Sequence, residues 1–223
     1  MKLNAQLEEK ITEDWARLFP GLGIYQSLWL LRLTGPLLSG ICLETDSGND
    51  TYQPLFHVHS LARPFPTVSL TLVEYLKTTR NQAQDSIGVA FHNNRYSEAA
   101  ERMTGQALLP LAGPISADQA LEAYHRYMTK PLSRYPLLLY EDMLAILVWC
   151  GQLRKASASL EQFTADVKSW PSTINVLKNV GGVEAWQDRC LRWIENPAII
   201  KDTVKQQITR LDVEHLPKGE FLC

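Results

Sequence analysis

Long hydrophobic runs are missing from this chain of 223 residues. Its longest are Leu28-Trp29-Leu30-Leu31, Pro136-Leu137-Leu138-Leu139-Tyr140 and Ala145-Ile146-Leu147-Val148-Trp149-Cys150. A bilayer span needs roughly 18–20 apolar residues, so no membrane partner is expected. Charge of one sign is not in excess either: 22 Lys+Arg stand against 24 Asp+Glu, a net of -2. That balance offers no broad cationic field, which disfavours nucleic acid and anionic lipid as partners. The first ten residues lack an apolar h-region, so no secretory signal is read and a cytoplasmic location is expected.

Catalytic signatures are also scarce. No serine sits in a G-x-S-x-G elbow. Gly181-Gly182 is a bare pair, and Gly21-Leu22-Gly23 runs into strand-like sequence where a phosphate loop would open a helix. Cys42, Cys150, Cys190 and Cys223 form no C-x-x-C pair, and with no export signal they read as reduced. The first three lie among apolar neighbours and read as small buried hydrophobes. Glu141-Asp142 falls early in an expected helix, where the dipole alone accounts for it. No cofactor is expected.

What the chain does have is a 45 % apolar, 21 % charged composition typical of a globular protein that buries most of its surface. Leu3, Leu7, Ile11, Trp15 and Leu18 form the stripe of an amphipathic helix over residues 2–18. Pro20-Gly21 ends it. Strand-like stretches follow near 25–33, 36–45, 53–61 and 66–72, separated by turn clusters, which suggests an antiparallel meander. Beyond Val73 the periodicity turns helical, over Gln82–His92, Tyr96–Leu109, Ser116–Thr129, Tyr135–Cys150, Leu153–Val167, Val183–Ile194 and Ile199–Leu211. Prolines punctuate these stretches, and Ser116 is placed to cap one. The expected fold is α+β: an N-terminal helix and small antiparallel sheet in residues 1–75, then an array of helical hairpins in 76–223. With no linker between them, the two segments are expected to pack as one unit.

Two stretches carry a family resemblance. The first runs Gly88-Val89-Ala90-Phe91-His92-Asn93-Asn94-Arg95-Tyr96-Ser97-Glu98-Ala99-Ala100 and on to Ala107; the second pairs Leu144, Leu147 and Gly151 with Ala156 and Leu160. Both resemble degenerate tetratricopeptide hairpins, although Ala99 and Ala156 lie 57 positions apart and the family repeats every 34 or so. The resemblance implies a scaffold that binds a protein or peptide.

Three features remain as candidate sites. In Phe56-His57-Val58-His59, strand alternation projects His57 and His59 from one face, half of a metal site, with Cys42, Glu44 or His92 as third ligand. The plainer alternative puts both imidazoles on a polar face, where they would titrate near neutrality. Glu44, Asp46 and Asp50 form an acidic turn with no Lys or Arg between residues 41 and 60, suited to a basic partner. Turn chemistry alone also calls for such residues. Trp170, before Pro171 at a helix end, is expected to be partly exposed. The sum favours a non-enzymatic protein-binding protein, in concrete form a bacterial toxin-neutralising protein of immunity type that occludes a basic toxin. The competing expectation is a metal-dependent hydrolase built on His57 and His59.

Overall fold

A helix leads and a meander of strands follows. The computed structural model describes residues 2–46, 48, 50–130, 135–171 and 174–223. Helix α1 spans Ala5–Leu18, and the Asn4 side chain caps it by accepting the Leu7 N–H at 3.0 Å. Ile11 and Trp15 are buried as the stripe requires, but Leu18 is exposed and Phe19 takes its place in the core.

Strands β1 (Gly23–Gln26), β2 (Trp29–Thr34), β3 (Leu37–Thr45), β4 (Thr51–Ser60) and β5 (Leu72–Tyr75) lie side by side in chain order, each antiparallel to the next. The stretch read as one strand near 25–33 is two, because Ser27-Leu28 makes a tight turn with Leu28 at φ +65°. Its amide donates to Thr12 Oγ1 at 2.8 Å and its carbonyl accepts Leu43 N–H, contacts that hold a leucine where turn rules ask for glycine or asparagine. The stretch 66–71 is a loop, and the strand begins at Leu72. Between residues 82 and 91 the expected helix is replaced by turns, a two-residue strand β6 (Ile87–Gly88) paired with β4, and a 3-10 turn. Buried Asp85 sits there, held by Arg95 and Arg102. The first of the two hairpin-like stretches therefore contains one helix, α2 (His92–Gln106).

The rest is a run of helices. After β7 (Ile115–Ser116), Ser116 caps α3 (Ala117–Met128) in a full capping box with Gln119. Then come α4 (Leu137–Trp149), α5 (Leu153–Lys168), α6 (Asn175–Asn179), α7 (Val183–Glu195) and α8 (Ala198–Arg210). Helix α4 is apolar almost all round and buried from Leu139 to Val148, the pattern of a helix enclosed by others. Gly151, at φ +67°, reverses the chain after it, and fully buried Ala156 lets α5 pack against it. The last strands, β8 (Lys218–Gly219) and β9 (Phe221–Leu222), run parallel to β2 and β7. The fold is α+β, with the sheet and the helices sharing one hydrophobic core.

Two consequences bear on function. Strands β3 and β4 are buried on both faces over most of their length, so alternation along them does not separate a polar side from an apolar one. And Cys150, just past α4, is disulfide-bonded to Cys223, with a Cα separation of 5.0 Å across 73 positions of sequence. This corrects the reading of four reduced thiols, which rested on scattered spacing; the fold brings together what the sequence keeps apart. By loop entropy such a link disfavours the unfolded chain by about 4 kcal/mol. Cys42 and Cys190 are free and buried.

Candidate functional site

The acidic turn joins β3 to β4. Asp46 Oδ1 accepts the backbone N–H groups of Asp50 and Thr51, both at 3.3 Å, so this carboxylate closes the turn on itself. Glu44 accepts the Tyr75 hydroxyl at 2.6 Å, and that bond, helped by burial, pushes the Tyr75 phenol up to about 12. Asp50 is exposed, and its carbonyl accepts Val89 N–H at 2.8 Å. That last bond brings an unforeseen residue to the turn. Gly88 pairs with Thr51 at the base of the turn, and the Phe91 ring lies against Gly88, where a Cβ would stand 3.1 Å from it. Phe91 is 62 % exposed, the most open large apolar side chain among the described residues. Nothing in the sequence marks Phe91 as uncovered; its exposure follows from the turns and short strand that stand where residues 82–92 are expected to be helical.

His57 and His59 share a face of β4, as alternation requires, but the face is not polar. Both are buried; burial pushes His57 down to about 3 and His59 to about 4, so both rings are neutral near pH 7 and the pair does not form a titrating surface patch. His57 packs edge-on to Trp29, centroids 5.0 Å apart, and neither ring nitrogen has a partner. His59 Nδ1 accepts the Ser69 backbone N–H at 3.0 Å. A backbone amide only donates, so Nδ1 supplies its lone pair there and the ring proton sits on Nε2. Neither nitrogen of His59 then has a lone pair to offer a metal. Among the third ligands considered, Glu44 holds Tyr75, and His92 lies across the sheet with Asp14 and Tyr52. No group of three or more His, Cys, Asp or Glu among the described residues could hold a metal ion.

Around His92 a chain of bonds crosses three elements. Trp15 Nε1 donates to the Tyr52 hydroxyl at 3.3 Å, which donates to His92 Nδ1 at 2.8 Å; His92 Nε2 donates to Asp14 Oδ2 at 3.0 Å. Burial pushes Asp14 up, but Lys10, His92 and Arg17 together hold it below the usual carboxylate range. The order of groups is that of an Asp-His-hydroxyl relay. Its hydroxyl, however, is a fully buried phenol that burial drives far above its ordinary pKa, so the chain works as a brace between α1, β4 and α2.

A second buried network overturns the dipole reading of Glu141-Asp142. Asp142 Oδ1 accepts from Arg63 Nε at 2.9 Å and Oδ2 from the Tyr124 hydroxyl at 3.1 Å. Glu141 pairs with Arg63 and with Arg189 of α7. Burial pushes both carboxyls up against the pull of these arginines. Trp170, half-buried, meets Tyr135 edge-on at 5.3 Å and stacks on Tyr140 at 6.2 Å, so its ring neighbours are aromatic and the acidic residues are not among them. A second acidic surface lies elsewhere: a groove of about 440 Å³ between α1 and β1 is rimmed by Glu8, Glu9 and Glu13. No described helix is long and apolar enough to cross a membrane. Compared with protein-family models, curated proteins and solved structures, the chain matches none.

Proposed function

We propose that the chain acts by binding another protein through the β3–β4 turn and Phe91, and that the partner's contact surface is basic. The observation that supports this is the pairing of an open aromatic ring with exposed carboxylates on a braced turn. Interfaces join an apolar anchor, often aromatic, to a polar rim, and complementary charge steers the encounter. The stretch of residues 41–60 has no cation to neutralise the rim from within. Packing of α4 on α5 at Ala156, similar to a tetratricopeptide hairpin, suits the same role, since such helical pairs serve as scaffolds. In its concrete form the protein neutralises a basic bacterial toxin in the cytoplasm by covering it, and no chemical step is asked of it. Trp170 is a secondary contact candidate.

The test is comparative capture from native lysate at low salt, with the intact chain and with Phe91→Ala/Asp50→Lys as baits. A basic protein recovered near-stoichiometrically on the first and lost on the second is the expected result. Equal recovery on both baits, or none on either, overturns the assignment of this surface.

A further inference from the structure

The segment 217–223 is fastened to the body at three points. Leu33 N–H donates to the Pro217 carbonyl at 2.9 Å, where β8 joins the main sheet beside Leu33–Thr34. Ile115 N–H donates to the Glu220 carbonyl at 3.0 Å, where β9 pairs with β7 ahead of α3. Cys223 closes the strap onto Cys150. The first two fastenings are weak: each strand pair is two residues long, and no residue from 217 to 223 is fully buried, Phe221 being the one hydrophobic side chain of the segment that packs, partly buried, against the core. Segments with few buried contacts open at low cost, so the covalent link decides whether the strap stays down.

We infer that the Cys150–Cys223 bond is a thiol-exchange site, and that its reduction by a dithiol releases residues 217–223 while the rest of the fold persists. This inference stands independently of the protein-binding reading. Cys223 is exposed and Cys150 half-buried, so the reductant's thiolate attacks Cys223 Sγ. The S–S bond breaks, the electron pair leaves on Cys150 Sγ, and that sulfur takes a proton. The reductant's second thiol attacks the mixed disulfide, freeing Cys223 as a thiol and leaving the reductant as its own disulfide. Two electrons and two protons pass to the protein. The other two cysteines stand aside, because burial pushes the thiols of Cys42 and Cys190 up to about 12, where they hold almost no thiolate.

Release uncovers a specific surface. Gly219 lies directly on Arg32 and Thr34; a Cβ there would be 2.8 Å from Arg32 Nη2 and 2.6 Å from Thr34 Oγ1. Arg32 is buried, bonds only neutral oxygens of Thr34 and Gly113, and has no carboxylate partner among the described residues. With the strap away, its guanidinium and the Leu33–Thr34 edge face solvent, giving the reduced form a cationic spot beside an open strand.

Hydrogen exchange and thiol alkylation before and after dithiothreitol test this. The oxidised protein is expected to show no rapidly alkylated cysteine and the reduced protein two, Cys150 and Cys223. The amides of Leu33 and Ile115 are expected to exchange at least about ten-fold faster on reduction, with the β3–β4 ladder unchanged. Cys223→Ser and Cys150→Ser are each expected to reproduce the fast-exchanging state without reductant. Unchanged protection at Leu33 and Ile115 after full reduction overturns the inference. So does loss of protection throughout the sheet, which would make the bond a staple of the whole fold, and so do two or more rapidly alkylated cysteines in protein isolated without reductant.

Discussion

At the scale of the residue, His57 and His59 tie the protein's stability to pH. Folded, they are held at about 3 and about 4, against 6.5 for a free imidazole. Between those values the unfolded chain binds protons that the folded one refuses, so stability rises with pH across that window. The contribution is complete above about pH 6.5 and shrinks as the pH falls, by roughly 3 kcal/mol for His57 alone at about pH 4. Urea denaturation at about pH 7 and about pH 4 should show this loss, and His57→Phe should flatten it while raising stability at the higher pH. An unchanged slope in that variant would remove His57 as the cause. Alternation was enough to place both imidazoles on one face, but it could not show that the face is covered. That depends on Trp29 two strands away and on Ser69 in a loop folding back over His59, contacts no local pattern encodes.

At the scale of the element, β2 and β3 approach so closely at one point that only hydrogen fits. A Cβ on Gly40 would stand 1.9 Å from the Leu30 carbonyl oxygen, on backbone with nowhere to move. Gly40→Ala is expected to cost about 3 kcal/mol or more, roughly 6–12 °C in Tm. Gly105→Ala, in α2 with nothing within 4 Å of the new methyl, should leave Tm unchanged or raise it. Thermal melts of the two variants check the pair, and equal shifts would argue against the close approach. The helices were legible because an apolar stripe, a cap at Ser116 and flanking prolines agree with one another. The failures have one origin: tertiary contacts replaced the local signal. Thr12 and Leu43 hold Leu28 in its turn, and two arginines from α2 hold Asp85 out of a helix.

At the scale of the molecule, Arg63 just beyond β4 and Glu141-Asp142 of α4 join sheet to helices through buried charge. Removing one partner leaves the others uncompensated, so Asp142→Ala should cost about 3–5 kcal/mol. Denaturation by urea should show it as one shifted cooperative transition; a loss below about 1 kcal/mol would mean the charges are solvated. The acidic turn was legible from composition, whereas Phe91 was not, because its exposure follows from where β6 and α2 send the chain. The strap has a consequence for synthesis as well. Leu33 is translated early and Lys218 late, so β2 emerges without its parallel neighbour and waits for it, on the order of ten seconds or more at ordinary elongation rates. During that interval the Leu33–Thr34 edge is an unpaired template on a nascent chain, open to pairing with any other extended segment it meets.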